Sequence, residues 1–276
     1  MNRKDFWGVR LTPVILLVAL SVARVAVAQE PSMLDSRLDV RKFASGLTTP
    51  TTIAFIGENN ILVLEKNTGK VRQVINGVLQ PNSVLQLPVN FFSERGLLGI
   101  ALHPDFEDNS FAYLYWTESS TGAVTGDPAA VLLLGNRVDR FVWNGSTLTF
   151  DRNLIRLRAF QADEGQPLRG NHNGGRIVFE PKRDDDGRAD KDQQNENEKQ
   201  KRKLLILIGD NGRRGFMQNV QQGFGPTTCE ARPRGPRCDD QFGGPEPDNV
   251  HLTGVILRLN DDGSTPKDNP FFNAGA

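Results

Sequence analysis

An all-β fold, with helix confined to an N-terminal leader and a turn or two elsewhere, is what this sequence predicts. Three observations carry that expectation. Apolar residues after position 28 alternate with period two or come in short runs. Clusters of Gly, Asn and Asp separate the runs. No stretch between them sustains the ~3.6-residue apolar periodicity of an amphipathic helix.

The first four elements are Thr51–Phe55, Ile61–Glu65, Val71–Ile75 and Val84–Leu87, separated by Gly57-Glu58-Asn59-Asn60, Asn67-Thr68-Gly69 and Asn76-Gly77. Short strands joined by such turns predict an antiparallel meander. The pattern recurs in Leu97–Leu102, Phe111–Trp116, Val131–Val142, with an irregularity at Gly135, and Leu148–Leu157. Gly174–Phe179, Leu204–Ile208 and Gly254–Leu259 follow. A sandwich, a barrel and a propeller are all compatible with this succession. Repeated meanders favour the propeller of four-stranded antiparallel blades, although no clean internal repeat is visible.

The leader has its own signature. Met1–Arg10 carries Arg3, Lys4 and Arg10 against one acid, Asp5, and Leu11–Ala23 is apolar apart from Thr12, Pro13 and Ser21. Ala26-Val27-Ala28 then puts small residues where a signal peptidase reads them, so residues 1–28 are expected to be a signal peptide cleaved before Gln29. A membrane anchor is the competing reading, but the apolar run is shorter than the ~20 residues that span a bilayer. No later segment is long or apolar enough, so the mature chain, 29–276, is expected in the periplasm or outside the cell with no membrane span.

Lys and Arg balance Asp and Glu at 33 each; the leader holds four bases and one acid, which leaves 29 against 32. That slightly acidic balance is not the footprint of a nucleic-acid binder. Cys229 and Cys238 are the two cysteines, in a Gly/Pro/Arg-rich stretch, and an oxidising compartment favours a disulfide between them over two free thiols or a zinc site. Residues 182–203, KRDDDGRADKDQQNENEKQKRK, contain nothing apolar larger than Ala and are expected to be a charged, disordered loop inserted between two strands. Asp184, Asp186, Gly187 and Asp190 partly echo a calcium loop, but Lys182 stands where its first carboxylate belongs.

Candidate chemistry gathers in three places. Ser93–Phe106 is a polar turn feeding a buried strand, in which Gly96 and Gly99 imply close backbone approach and Glu94 and Arg95 either neutralise one another or edge a pocket. His103, before Pro104, reads as a turn residue bonded to backbone rather than a base. Gly170-Asn171-His172-Asn173-Gly174-Gly175 sets an imidazole among amides and glycines ahead of a strand, as either an accessible base or a surface decoration. Gly209-Asp210-Asn211-Gly212-Arg213-Arg214 sets two guanidiniums on a glycine-rich loop, suited to an anionic ligand or merely to solubility.

Taken together, ERGLLGIALHPDF (94–106), NHNGGRIVFEP (171–181), LIGDNGRR (207–214) and LTGVILRLNDDGSTPKDNPF (252–271) resemble, in order and approximate spacing, the glucose/sorbosone dehydrogenase family, and the resemblance covers most of residues 38–272. That family comprises the soluble pyrroloquinoline-quinone (PQQ) sugar dehydrogenases, also called aldose sugar dehydrogenases, and their non-enzymatic relatives. The resemblance implies a six-bladed β-propeller holding PQQ and calcium at one end of its channel. Oxidation of an aldose at its anomeric hydroxyl is implied too, with electrons passed to an external acceptor.

By position, the resemblance makes His172 the base and sets Arg213 against the quinone. Arg214 stands where the best-known members carry a cofactor-contacting asparagine, and Glu94 stands where they carry a substrate-contacting glutamine. At ~45–50 residues per blade the chain accommodates roughly four of six blades, which keeps open a truncated relative or a non-catalytic binding module as the alternative. The leader reading has a direct check: exported protein should begin at Gln29 by N-terminal mass analysis, and an intact Met1 would overturn it.

Overall fold

The computed structural model describes residues 33–160, 170–181, 201–209, 211 and 254–270. Among these residues eleven strands and one helical turn form three antiparallel sheets, each a simple meander. The first sheet is β1 (Pro50–Gly57), β2 (Asn60–Glu65), β3 (Lys70–Ile75) and β4 (Val78–Gln86). The second is β5 (Leu97–Leu102), β6 (Phe111–Ser119), β7 (Val131–Trp143) and β8 (Leu148–Leu157), with the single turn α1 (Phe106–Asn109) between its first two strands. The third is β9 (Arg176–Phe179), β10 (Lys203–Ile208) and β11 (Val255–Asn260). Ahead of them, residues up to Lys42 group as a separate unit, in which Arg37 pairs with Asp35 and Arg41 with Asp39 at the surface.

Local chemistry explains the turns. Asn76 and Gly77 both take positive φ, 49° and 79°, and form the two-residue loop that closes Ile75 onto Val78. This is the loop whose backbone twist matches that of the strands it joins, and Asn-Gly is the pair that tolerates it. β4 therefore starts at Val78 rather than at the expected Val84, and it runs through Pro81. A proline is accommodated because β4 lies at the edge of its sheet, where a missing N–H breaks no ladder bond. β9 starts at Arg176 and not at Gly174, since Gly174 and Gly175 have φ of 72° and 106°, outside the β region.

The sheets pack face to face. Leu62, Leu64, Val71 and Val84 of the first meet Leu97, Ile100, Ala112, Leu114 and Trp116 of the second. The opposite face of the second sheet puts Tyr113, Tyr115, Val138 and Leu157 against Ile177, Leu204, Ile206 and Leu259 of the third. Successive β6 residues point to alternate sides and both sides are covered, which is why Ala112–Trp116 is a continuous buried apolar run rather than an alternating one. The first strands lie side by side, β1 against β5 and β5 against β9, as inner strands do in a propeller. Thr51 and Thr52 fasten the first two by donating their hydroxyls to the carbonyls of Leu97 and Leu98, at 3.1 and 2.7 Å.

The charged segment is shorter than expected at its C-terminal end. Lys203 opens β10 and bonds the Asn260 side chain, Arg202 accepts the Asp261 N–H at 2.8 Å, and Lys201 pairs with Asp262 at 2.8 Å. Residues 201–203 are ordered because the turn after β11 supplies polar partners for them; 182–200 lie outside the described residues, as do the leader, Cys229 and Cys238. Among the described residues no helix is long and apolar enough to cross a membrane.

The packing predicts a contrast. Leu114→Ala, at a fully buried site, should lower unfolding free energy by about 2–5 kcal/mol. Phe55→Ala, at a residue 67% exposed, should change it by roughly 0.5 kcal/mol or less. Urea titrations of the two variants decide this.

Candidate functional site

Parts of the three sequence motifs lie together at one end of the inner strands: Glu94 and Arg95, the loop 170–175, and Gly209 with Asn211. The loop 170–175, which leads into β9, is the centre, and its backbone is unusual: Gly170, His172, Gly174 and Gly175 all have positive φ. For His172, at φ 54°, the Cβ makes this conformation unfavourable by about 1–2 kcal/mol. Surrounding contacts must therefore hold it. Its N–H donates to Glu94 Oε2 at 2.5 Å, and its carbonyl lies so near Gly209 that a Cβ there would stand 1.9 Å from the oxygen. Gly99 makes the equivalent approach to the Gly175 carbonyl, where a Cβ would also come to 1.9 Å.

Glu94 and Arg95 do not turn toward one another. Glu94 is exposed beside His172, whereas Arg95 is 1% exposed and reaches inward. Arg95 Nε donates to the Gly170 carbonyl at 2.9 Å, and Nη1 donates to the Pro128 carbonyl at 2.8 Å and to Asn90 Oδ1 at 3.3 Å. Its guanidinium also lies over the rings of Phe92 and Phe160, each 5.7 Å from the centroid. Burial lowers the Arg95 pKa to about 10, so it still carries its charge at neutral pH. On the other side, Lys66 donates to the carbonyls of Ser93 at 2.7 Å and Phe91 at 3.4 Å, tying down the turn that precedes Glu94. Burial lowers the Lys66 pKa and the neighbouring Glu94 charge raises it.

Beneath His172 runs a buried polar chain. Tyr115 donates its hydroxyl to the Asn173 carbonyl at 2.8 Å, and burial pushes that phenol up, so it remains a neutral donor. Asn136 Oδ1 accepts from Thr117 at 2.7 Å and from Asn173 Nδ2 at 3.5 Å. Asn136 and Asn211 both donate to the Arg158 carbonyl at 2.8 Å. This chain ties the loop after β10 to the end of β8. Asn173 Oδ1 and Asn211 Oδ1 are buried acceptors with no partner among the described residues. Such acceptors fit a polar ligand or ordered water at the site better than an apolar one.

His103 is different. It sits at the far end of β5, buried, with Nδ1 accepting from the Asp105 N–H at 3.0 Å and from Asn109 Nδ2 at 2.7 Å. Nε2 is then the protonated nitrogen and donates to Asp261 Oδ2 at 3.1 Å. With both nitrogens engaged it is the turn residue that the sequence indicated. Arg213 and Arg214 lie outside the described residues, and Asn211 is the last point at which the structure places their loop. Among the described residues no cluster of three or more His, Cys, Asp and Glu could hold a metal ion.

Sequence reasoning missed the inward course of Arg95 and the Asn136–Asn173–Asn211 chain. For Asn136 no signal stands out, because β7 also carries Arg137, Asp139 and Arg140.

The model of the glucose/sorbosone dehydrogenase family matches residues 47–241. Quinoprotein glucose dehydrogenase B of Acinetobacter calcoaceticus is 29% identical over 282 residues, covering 99% of this chain and 50% of that protein. Aldose sugar dehydrogenase YliI of Escherichia coli is 25% identical, covering 99% of this chain and 54% of that protein. Among solved structures, the PQQ-bound aldose sugar dehydrogenase of Streptomyces coelicolor superposes with a TM-score of 0.52 at 24% identity, covering 84% of this chain and 50% of that one. The apo form of the soluble Escherichia coli aldose sugar dehydrogenase gives 0.51 at 24% identity, covering 83% and 49%. The chain thus spans about half the length of these relatives, and the structural likenesses show a shared fold.

The close approach of Gly209 to His172 is testable. Gly209→Ala forces a Cβ onto the His172 carbonyl and should destabilise the protein by roughly 1–3 kcal/mol in urea. Gly57→Ala, whose Cβ would meet nothing nearer than 3.7 Å, should fall within about 0.5 kcal/mol of wild type.

Proposed function

The chain belongs to the glucose/sorbosone dehydrogenase family, and from that premise we propose that it serves a PQQ-dependent dehydrogenase that oxidises an aldose at its anomeric hydroxyl. The observation that carries this reading is His172 itself, exposed on a loop whose unfavourable backbone is held by neighbouring elements. Backbone strain maintained around an exposed imidazole is what a positioned general base calls for.

In this reading His172 accepts the proton of the sugar's anomeric hydroxyl, and the developing alkoxide favours loss of hydride from the same carbon. When bound, PQQ supplies the two-electron acceptor for that carbon. Glu94, exposed beside His172, keeps lone pairs beyond the one used by the His172 N–H, and these accept hydrogen bonds from sugar hydroxyls. Because a carboxylate cannot donate, sugar groups facing Glu94 must be donors. Arg213 and Arg214 are assigned to the carboxylates and carbonyls of the quinone, which their planar, permanently charged donors suit. The buried acceptors Asn173 Oδ1 and Asn211 Oδ1 support a polar occupant nearby. Calcium and an external electron acceptor enter through the family resemblance alone. Export through the leader, residues 1–28, and a periplasmic or secreted location rest on the leader's own basic, apolar and Ala26-Val27-Ala28 pattern.

The test uses the natural polypeptide supplied with PQQ and calcium, an aldose and an artificial dye. Dye reduction should depend on the sugar, and His172→Ala should lower the rate at saturating sugar by about 10²–10⁴ while leaving the circular dichroism spectrum unchanged. Equal rates for the two proteins would assign the base elsewhere.

A further inference from the structure

We propose that Glu94 and Arg95 act together as positioning residues for His172, gripping its loop by two backbone groups. The proposal rests on the reading of His172 as the base. Two successive residues make the two contacts: the Arg95 guanidinium donates to the carbonyl of Gly170, and the Glu94 carboxylate accepts from the N–H of His172. A cation is thus matched to a carbonyl and an anion to an N–H two residues further on. Each bond is charge-assisted, which makes it shorter and stronger than a neutral pair.

The grip is built before any ligand arrives. Arg95 is fixed from behind by the Pro128 carbonyl and by Asn90, and Asn90 is itself bonded to the carbonyls of Asp127 and Ala130 at 2.8 Å each. Glu94 is set by the turn whose carbonyls at Phe91 and Ser93 receive the Lys66 ammonium. Between these anchors the chain 170–172 has little room to move. A Cβ at Gly170 would come within 2.1 Å of Arg95 Nη2 and 2.3 Å of the Ala159 carbonyl.

The need for a grip follows from the φ of His172, 54°, which residues with a Cβ rarely adopt. Released, the residue would return to the right-handed or extended region and carry its imidazole away from the sugar. A displacement of ~1 Å is enough to cost a positioned group about 10² in rate.

Amide hydrogen exchange reads the grip without requiring catalysis. In the natural polypeptide the His172 amide should exchange slowly. E94Q keeps a carbonyl acceptor and should preserve that protection, whereas E94A should accelerate exchange by about 10- to 100-fold. R95K keeps the charge but loses the planar Nε donor, and Arg95 does not face the sugar. It should therefore lower kcat by about 10- to 100-fold with little change in KM. Should R95K fail to fold, the two Glu94 variants still decide the matter. Fast exchange in the wild type, or equal exchange in E94A and wild type, would overturn the clamp even if sugar is oxidised. Protection lost in E94A and kept in E94Q, with no sugar oxidation by any form, would uphold the clamp and overturn the reading of the base.

Discussion

Because Ala112, Leu114 and Trp116 face the first sheet while Tyr113 and Tyr115 face the third, β6 has no side left for solvent, and the second sheet is stable only between its two neighbours. The apolar surface it would otherwise show to water is the largest driving force acting on the three sheets. Side-by-side placement of β1, β5 and β9 follows from that stacking. So does the convergence at one end of the inner strands of residues as far apart in sequence as Glu94, His172 and Gly209.

At that end the packing changes from apolar to polar, and most of the buried polar groups are answered by one another, Asn173 Oδ1 and Asn211 Oδ1 excepted among the described residues. Tyr115 belongs to both regimes: its ring lies in the core with Val138 and Leu157, and its hydroxyl leaves the core to hold the Asn173 carbonyl. Asn136 does the same one strand further out, joining Thr117, Asn173 and the Arg158 carbonyl. An unanswered buried amide costs about 1–3 kcal/mol, so such a chain is stable only when its members are present together. The loop bearing His172 is thus supported from below by side chains of the second sheet, its start is held by Arg95 at Gly170, and its end by the Gly175 N–H donating to the Leu207 carbonyl at 3.0 Å.

What could be read in the sequence was whatever depends on local pattern. Period-two alternation located the strands, Asn76-Gly77 located a hairpin, and Gly96 and Gly99 announced close backbone approach, which the structure shows against Lys66 and Gly175. Contacts settled by residues distant in sequence could not be read in this way. Nothing around Arg95 distinguishes an arginine that pairs with its neighbour from one that turns inward to a carbonyl 75 positions away. Residues 201–203 looked like more of a charged loop because the turn that orders them, Asn260–Ser264, comes some 60 residues later. The start of β4 was obscured by Pro81, which a central strand would exclude and an edge strand admits.

The direction of β9 separates two sets of contacts. The strand leaves the His172 loop at Arg176 and ends at Phe179, and the connection to Lys203 departs from that distant end, where the hydrophilic stretch 182–200 is inserted. Connections at that end lie the length of the strand away from the imidazole. Those at the opposite end, 91–96 and 170–175, are pinned nearly residue by residue. The two ends of the inner strands thus do different work: the far end joins the second sheet to the third, where His103 and Tyr113 bond Asp261, and the near end sets the spacing of the groups around the imidazole.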